Sequence, residues 1–283
     1  MKRLTRMTSS KLTFIGGGNM AGSLIGGLIA DGYDSRRITV SDPDTDKLAQ
    51  LAAHFDVHTE TDNNKAVDQA QIVVLAVKPQ ALESVARGIA DSVTHSRPLV
   101  ISIAAGIQET VLSEWLGGEV ALVRSMPNTP AMIQSSATGL HAGPGVSGAQ
   151  RDMAESILRA VGLTRWVEDE SQIDAVTAIS GSGPAYFFLV MEAIESVACE
   201  MGLDEETARL LTLQTALGAA RMAIESSDSP ATLRQKVTSP GGTTEKALKI
   251  LEEGHLRELF AEALKGAQNR SRELSDMLGH RKS

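Results

Sequence analysis

The stretch Lys11–Gly32, KLTFIGGGNMAGSLIGGLIADG, decides the fold of the N-terminal half of the chain. A short apolar run precedes the pattern Gly16-x-Gly18-x-x-Ala21, and a helical pattern that Gly32 can end follows it. The first glycine permits a tight turn, the second lets a phosphate approach the backbone, and the small third residue allows close packing of helix on strand. Exposed amides at the helix start hold a diphosphate. The stretch therefore predicts a dinucleotide-binding strand, turn and helix.

Short apolar runs alternate with amphipathic segments through the rest of this half. The candidate strands are Leu12–Ile15, Ile38–Ser41, Ile72–Val77, Leu99–Ile103 and Val120–Arg124. Continuous apolar runs such as IVVLAV indicate strands buried on both faces, which is typical of a parallel sheet covered by helices. With helices expected over Asp44–His54 and Pro79–Val93, the pattern predicts a doubly wound α/β fold with right-handed crossovers.

The pattern changes near residue 168, where strand-like runs stop. The predicted helices beyond this point are Pro184–Met201, Asp204–Ser226, Ala231–Val237, Thr243–Glu253 and Leu256–Leu278. Gly202 can end one helix and Asp204 can cap the next. We therefore predict two domains: a Rossmann-type dinucleotide-binding domain over residues 11–168 and an all-helical domain over residues 169–283.

One helical segment, LLTLQTALGAARMAIES (Leu210–Ser226), is apolar or small around most of its circumference. Such a helix needs burial on nearly all sides. The helical domain could supply that cover alone, but a bundle formed between two subunits supplies it better. We expect the helical domain to carry the subunit interface.

Composition narrows the classes of function. A formal net charge of -8 argues against a nucleic-acid binder, which needs clustered Lys and Arg. The lone Cys199 and six histidines without HExxH spacing predict no protein metal site. The basic N-terminus lacks an apolar signal region, and glycines interrupt the run Leu12–Leu28. We expect a cytoplasmic protein with no membrane or nucleic-acid partner.

Asp42 stands at the end of the second candidate strand. An acidic residue there usually accepts hydrogen bonds from the ribose hydroxyls and repels a 2′-phosphate, which favours NAD. No arginine follows immediately, Lys47 is the nearest cation, and Ser41 could donate to a phosphate. Asp42 could instead cap the helix after Pro43. The preference between NADH and NADPH therefore stays open.

Two further strand ends should face the ligand, because ligands of a parallel sheet lie beyond the carboxyl ends of its strands. The residues there are Ala76, Val77, Lys78 and Pro79 after one strand and Ala104, Ala105 and Gly106 after the next. Small side chains leave room for a flat nicotinamide, whose carboxamide the backbone can bind. Lys78 faces either the phosphates or solvent.

A second helix entrance, by which we mean a glycine-containing segment that leads into a helix N-terminus, lies in the stretch VTSPGGTTEKALKILEEG, Val237–Gly254. Ser239 offers a hydroxyl, while Gly241, Gly242 and Thr243 can present consecutive amides at a helix N-terminus. Such a terminus stabilises an anion by roughly 0.3–1 kcal/mol, or about 2 kcal/mol when partly buried. The stretch predicts a cradle for a small carboxylate, and the alternative is an ordinary helix cap with a tight turn.

The motifs VKP, SIAAG, MPNTP (Met126–Pro130), SGSGPAY (Ser180–Tyr186) and VTSPGGTT occur in this order. With them the sequence closely resembles the pyrroline-5-carboxylate reductases, over nearly its whole length. The resemblance implies hydride transfer from NADPH or NADH to the C=N bond of 1-pyrroline-5-carboxylate, which gives L-proline in the last step of proline biosynthesis. It also implies a helical domain that interlocks in a homodimer, and in some members a decamer.

The same resemblance assigns site residues. Its cofactor contacts fall on Gly16, Gly17, Gly18, Asn19, Met20, Ala21, Asp42, Asn63, Ala76, Val77, Lys78, Pro79, Ala104, Ala105 and Gly106. Its substrate contacts fall on Glu170, Thr243 and Thr244, beside the Ser239, Gly241 and Gly242 cradle. Relatives often carry Ser, Asn or Arg at the position of Asp42. Some have Ala-Thr where this chain has Thr243-Thr244, so the second hydroxyl is the shared element.

Thr244 is the candidate catalytic residue. It could hydrogen-bond the ring nitrogen and relay or donate its proton, but an unperturbed alcohol is a poor acid, so a water behind it is the alternative source. Glu170 could favour the protonated iminium electrostatically. Asn128 could touch substrate or hold its loop, and Pro184 suits a first helical turn.

Two other functions compete with this interpretation. One is a related two-domain reductase of a β-hydroxyacid or another imine, which would need a helix-borne lysine; Lys246 follows Thr244 by two residues and would point elsewhere. The other is a nucleotide-binding regulator without turnover. Oxidation of the reduced cofactor in the presence of the imine separates them.

Overall fold

The computed structural model describes residues 10–279, and these residues form two compact units. The front unit comprises the described residues through Ser182 together with those from Ala267 onward. The helical unit is Gly183–Gly266. The domain bounds 11–168 and 169–283 remain a prediction, because compactness alone does not delimit a domain.

The front unit is built on one sheet. Its strands are β1 (Leu12–Ile15), β2 (Ile38–Ser41), β3 (His58–Glu60), β4 (Ile72–Leu75), β5 (Leu99–Ser102), β6 (Leu122–Met126), β7 (Ser136–Ala142) and β8 (Gly162–Trp166). Their order is β3-β2-β1-β4-β5-β6-β7-β8, with β1 parallel to both β2 and β4. The chain thus winds outward in both directions from β1 and β4, which confirms the predicted doubly wound Rossmann-type fold.

Three of these strands were not predicted. β3 has three residues, none of them apolar, and the sequences SATGLHA of β7 and GLTRW of β8 contain no continuous apolar run. β7 pairs antiparallel with β6 and parallel with β8, at one end of the sheet. A strand there needs an apolar face on one side only, so the continuous-run signal that identified the inner strands is lost.

Helices cover both faces of the sheet. Those of the front unit are α1 (Asn19–Ala30), α2 (Thr45–Phe55), α3 (Asn63–Val67), α4 (Pro79–Gly88), α5 (Ala90–Ser96), α6 (Glu109–Trp115), α7 (Gly148–Arg159) and α8 (Gln172–Val176). One core cluster contains Phe14 and Leu24, and the other contains Leu75 and Leu112. These two clusters are the packed layers between the sheet and its helices, and they fix the positions of the strand ends.

The single helix predicted over Pro79–Val93 is wrong. The chain leaves the helical conformation at Ile89, between α4 and α5. Gly88 weakens the helix at this point by about 1 kcal/mol relative to Ala. Ile89 is fully buried in the second core cluster, and the bend carries its side chain there.

The motif SGSGPAY lies in a helical stretch that starts earlier than predicted. After α8 comes one wide helical turn with π geometry, Thr177–Gly181, and then α9 (Gly183–Glu200). An α-helix would pair the Ser180 carbonyl with the N–H of residue 184, but Pro184 has none. The Asn128 side chain donates to that carbonyl instead, at 3.0 Å. Asn128 therefore stabilises the turn Thr177–Gly181 by binding its Ser180 carbonyl.

The helical unit continues with α10 (Glu205–Glu225), α11 (Pro230–Lys236), α12 (Thr243–Glu253) and the first part of α13 (Leu256–Gly279). Asp204 caps α10 by accepting from the Thr207 amide at 2.9 Å, as predicted, and Gly202 has the positive φ of +100° that suits a residue after a helix. α13 begins in the helical unit and ends in the front unit.

Large apolar side chains are exposed along α9 and α10. Phe187 is 67% exposed and Ile224 is 83% exposed, while Ala208 and Thr212 are the buried residues of α10. An 18-residue window within Gln172–Glu200 has a mean hydropathy of 1.3, which makes this, by length and composition only, the stretch of the described chain that could cross a membrane. Exposure on this scale indicates a surface that a partner covers.

Candidate active site

The turn after β1 can be made only with glycine at its first position. Gly16 has φ of +100°, and a Cβ on it would lie 2.7 Å from the Ala76 carbonyl oxygen. Its amide donates to the Ser41 carbonyl at 2.7 Å. The turn is thus held between the carboxyl ends of β2 and β4, where a Rossmann-type sheet places its ligand.

The next part of the turn offers space and donors. A Cβ on Gly18 would meet no atom within 4 Å. Gly18 is the N-cap of α1, and no side chain caps the first turn of this helix, whose Ala21 is buried. Because the first amides of a helix have no partner within it, they remain for an anion. This geometry fits the diphosphate of a dinucleotide.

Asp42, at the end of β2, is bound by its own chain. Its Oδ2 accepts from the Gly17 amide at 2.8 Å, its Oδ1 accepts from the Asp44 amide at 3.0 Å, and Lys47 Nζ lies 3.2 Å from both oxygens. Burial opposes ionisation, but these donors outweigh it and hold the pKa of the Asp42 carboxyl below its usual range. The side chain that caps α2 is Asp44, which accepts from the Asp46 and Lys47 amides.

Asn63 lies beside the end of β2, at the start of α3. Its Oδ1 accepts from the Ser41 hydroxyl at 2.7 Å. A cleft of about 440 Å³ borders it, lined by Thr61, Asp62, Asn63, Asn64, Ser84, Val85 and Gly88. The structure therefore brings Asn63, Ser41 and Asp42 together at one strand end.

The ends of β4 and β5 have the expected backbone. Lys78 is the N-cap of α4, with Pro79 in its first turn. Gly106 has φ of +73°, and a Cβ there would lie 3.5 Å from Leu274 Cβ in the last part of α13. Helix α13 therefore supports the loop Ala104–Gly106, which its helical sequence pattern did not reveal.

Glu170, which the sequence analysis named, belongs to a group of charged side chains whose other members, Arg124, Glu109 and His141, were not predicted. Arg124 on β6, whose side chain is 7% exposed, forms an ion pair with Glu170, and the Glu170 carboxylate accepts from the Glu109 amide at 2.6 Å. His141 Nδ1 is buried 3.6 Å from Glu109 Oε2, beyond hydrogen-bond distance. Burial raises the pKa of the Glu109 carboxyl, and the charge of Glu170 adds to the rise. A buried arginine in an apolar strand needs a carboxylate partner, and that was the available signal.

Glu170 therefore has two structural partners in the front unit. One is the guanidinium of Arg124, and the other is the first amide of α6, a helix whose N-cap Gln108 makes no side-chain cap bond. Because α6 follows the loop Ala104–Gly106, Glu170 holds the far end of that loop. Its substrate contact, implied by the resemblance, stays a prediction.

In the helical unit, the residues Ser239–Gly242 form a tight turn. The Gly242 amide donates to the Ser239 carbonyl at 3.0 Å, and Gly241 has φ of +73°. Pro240 in the second place and a glycine with positive φ in the third are the signature of a type II turn. The glycine that the sequence offered as a donor is thus first required by backbone conformation.

The amides of this turn are partly used by the chain itself. Gly241 N donates to Glu245 Oε2 at 2.8 Å, and α12 has Gly242 as N-cap with no side-chain cap. Among the described residues, no hydrogen bond engages the hydroxyls of Ser239, Thr243 and Thr244. Those hydroxyls and the first amides of α12 are the donors left for a ligand.

Comparison with protein families gives two matches. A family model described as pyrroline-5-carboxylate reductase dimerisation matches residues 170–274, and one described as NADP oxidoreductase coenzyme F420-dependent matches residues 11–106. The chain is 49% identical over 273 residues to the pyrroline-5-carboxylate reductase of Pseudomonas aeruginosa, covering 96% of this chain and all of that protein. It is 43% identical to that of Pasteurella multocida, with 96% of this chain and 100% of that protein covered.

Solved structures give the same answer. A pyrroline-5-carboxylate reductase from Coxiella burnetii is 52% identical with a TM-score of 0.91, over 94% of this chain and 99% of that one. The Plasmodium falciparum enzyme, solved with NADP bound, is 27% identical with a TM-score of 0.84, over 95% of this chain and 99% of that one. The chain therefore belongs to the pyrroline-5-carboxylate reductase family, and it is an NAD(P)H-dependent oxidoreductase that acts on the imine of pyrroline-5-carboxylate.

Proposed function

We propose that, in the reduction of 1-pyrroline-5-carboxylate to L-proline, the two glycine-containing helix N-termini of this chain bind different reactants. The glycine turn of the front unit binds the cofactor, and the loop Ser239–Thr244 of the helical unit binds the carboxylate of the imine. When bound, the dinucleotide supplies a hydride from its nicotinamide C4 to the C5 atom of the imine. The observation that carries the proposal is the pair of uncapped helix N-termini, α1 and α12.

In the front unit, the cofactor is bound mainly by backbone groups that the fold holds in place. Gly16–Ala21 receives the diphosphate, and Asp42 and Asn63 stand where the adenosine half binds. Small residues at the ends of β4 and β5 leave space for a flat ring, and the ion pair of Glu170 with Arg124 keeps the loop Ala104–Gly106 in place. In this role Glu170 is a positioning residue.

In the helical unit, the imine is bound mainly by side-chain hydroxyls. The carboxylate of the imine is held by the side chains of Ser239 and Thr243 and by the free amides at the start of α12. Charge-assisted bonds of this kind contribute roughly 1.5–3 kcal/mol each. The Gly241 amide can join them only if Glu245 releases it.

The ring nitrogen needs a proton as the hydride arrives. Thr244 lies in the first turn of α12, and its hydroxyl has no partner among the described residues. It hydrogen-bonds the nitrogen and relays a proton from water, because an alcohol is a poor acid by itself. Holding the reacting atoms about 3–3.5 Å apart is the other requirement.

Self-association completes the enzyme. The exposed apolar side chains of α9 and α10 fall within residues 170–274, the part of the chain that matches the dimerisation model. We propose a cytoplasmic homodimer that can assemble into a decamer and that has neither a membrane nor a nucleic-acid partner. Sedimentation of the purified chain measures the oligomer directly.

The test uses Thr244→Ala, with Thr243→Ala as the matched control. Thr244→Ala should lower kcat/KM for the imine about 100-fold, the equivalent of about 2.7 kcal/mol of transition-state binding. Cofactor affinity should not change. Thr243→Ala should lower kcat/KM by a smaller factor, about 10-fold, since one donor to the carboxylate is lost but the proton path is kept. Equal losses in imine turnover and cofactor affinity would remove Thr244 from the substrate site.

A further inference from the structure

We propose that Lys47 determines how well this enzyme accepts the 2′-phosphate that distinguishes NADPH from NADH. The inference rests on the proposed function, in which Asp42 and the glycine turn receive the adenosine half of the cofactor. It goes further by naming a specificity-determining residue outside the strand end, on helix α2.

The acceptor capacity of Asp42 is filled. A carboxylate accepts at about four lone-pair positions. Two of these take the amides of Gly17 and Asp44, and two take Lys47 Nζ, at 3.2 Å from each oxygen. The ribose hydroxyls of a bound cofactor need acceptors, so some of these four contacts must be given up.

Lys47 is the donor that can move. The Gly17 amide belongs to the glycine turn and the Asp44 amide to the start of α2, so both are fixed by backbone. The side chain of Lys47 is 39% exposed and ends in a rotatable ammonium group. When Lys47 binds Asp42, the ammonium balances the charge of the carboxylate and occupies the acceptor positions that ribose hydroxyls need. When Lys47 moves away, the charge of Asp42 is no longer balanced and two acceptor positions become available.

The stem of Lys47 keeps the ammonium at the cofactor site. Its Cδ would lie 3.4 Å from a Cβ placed on Gly17, so the stem passes over the glycine turn. Lys47 lines the same cleft of about 560 Å³ as Gly17 and Gly18. The Asp44 carboxylate, 3.9 Å from Lys47 Nζ, also limits how far the ammonium travels.

Charge gives the direction of the effect. Within residues 10–279, Lys47 is the cation paired with both carboxylates at this strand end, those of Asp42 and Asp44. With Lys47 present, an incoming 2′-phosphate meets an ammonium donor. Without it, the phosphate meets two carboxylates, while Asp42 regains two acceptor positions for ribose hydroxyls. Both changes favour NADH over NADPH, so their effects add.

The experiment measures dissociation constants, not turnover. Full-length Lys47→Met is titrated with NADPH and with NADH, following the fluorescence of the bound cofactor. The ratio Kd(NADPH)/Kd(NADH) should rise about 10-fold over that of the unmodified protein, which is the effect of about 1.4 kcal/mol of lost charge interaction. Kd for NADH should stay the same or fall.

Two further variants sharpen the result. Lys47→Arg keeps the cation and should leave the ratio within about 3-fold of the starting value. Lys47→Gln removes the charge with a shorter side chain and should repeat the Lys47→Met shift. The ratio Kd(NADPH)/Kd(NADH) of the unmodified protein should also rise with salt concentration, because exposed charges are screened.

Each outcome decides the matter. An unchanged Kd ratio in Lys47→Met and Lys47→Gln, with both cofactors still bound, overturns the role of Lys47 and leaves the proposed function intact. A failure of the unmodified protein to bind either cofactor overturns the proposed function and this inference together. A ratio that rises in both variants and not in Lys47→Arg supports the inference.

Discussion

The two helix entrances of this molecule look alike in sequence and are built differently. Both have glycines before a helix whose N-cap makes no side-chain bond, at α1 and at α12. Five residues of α1 are buried, and Gly16 is wedged against the end of β4. No residue of α12 is buried, and its turn is closed by bonds within Ser239–Glu245. The first entrance is shaped by the core, the second by local backbone alone.

The difference has a functional consequence. An entrance fixed by tertiary packing is ready for its ligand and loses little entropy on binding. In an entrance fixed by one turn, the Gly241 amide must first be released by the Glu245 carboxylate before it can bind an anion. Displacement of the Gly16 turn should therefore cost both folding and cofactor binding, and changes at the helical entrance should affect substrate binding and leave cofactor affinity unchanged.

Gly16→Ala should have the largest effect. Its Cβ would lie 2.7 Å from the Ala76 carbonyl oxygen at a positive φ, so we expect a loss of about 2–4 kcal/mol in the free energy of unfolding. Cofactor affinity should fall at least about 100-fold as the turn is displaced. Chemical denaturation and cofactor titration measure the two effects.

Gly18→Ala is the matched control for this change. Because its Cβ would meet no atom of the protein, the free energy of unfolding should stay within about 1 kcal/mol, while the cofactor loses affinity. Equal destabilisation by both alanines would show that the turn is not held by the contact at Gly16.

Gly241→Ala should have a smaller and more local effect. Alanine at φ of +73° is strained by roughly 1–2 kcal/mol, but its Cβ would meet no atom within 4 Å. We expect the KM for the imine to rise about 10-fold with cofactor affinity unchanged. Steady-state kinetics with each substrate varied in turn separates the two, and a matching loss of cofactor affinity would contradict the division of work.

Asp42→Ser should give the smallest change. Loss of the carboxylate removes the repulsion of a 2′-phosphate, so the ratio of kcat/KM for NADPH over NADH should rise about 5- to 10-fold. Imine KM should not move. An unchanged ratio of the two efficiencies would take Asp42 out of the ribose site.

The sequence predicted the inner part of the fold well. The strands β4 and β5 carry continuous apolar runs, and β1, β2 and β6 contain shorter ones. The spacing Gly16-x-Gly18-x-x-Ala21 predicts the backbone conformation of the first turn. The tight turn before α12 was only the alternative interpretation of its sequence, although Pro240 followed by Gly241 was a signal for it, since each residue type permits few conformations. Strands and turns whose conformation depends on the local sequence could therefore be predicted.

What depends on partners distant in sequence could not be read. Arg124 and His141 are opposite each other only because β6 and β7 pair antiparallel, and Glu170 reaches Arg124 from the segment before α8. The Gly17 amide that donates to Asp42 is likewise 25 positions away in the sequence. The periodicity of α13 is helical throughout, so it did not show that the end of this helix packs on the front unit.

The central claim is that the start of α12 holds the carboxylate while the start of α1 holds the diphosphate. A crystal structure with L-proline and oxidised cofactor tests it most directly. We expect the proline carboxylate within about 3 Å of donors in residues 239–244 and the diphosphate against the amides after Gly18. Proline bound at another place, such as the Arg124 guanidinium, with the Gly241 amide still bound to Glu245, would contradict the account.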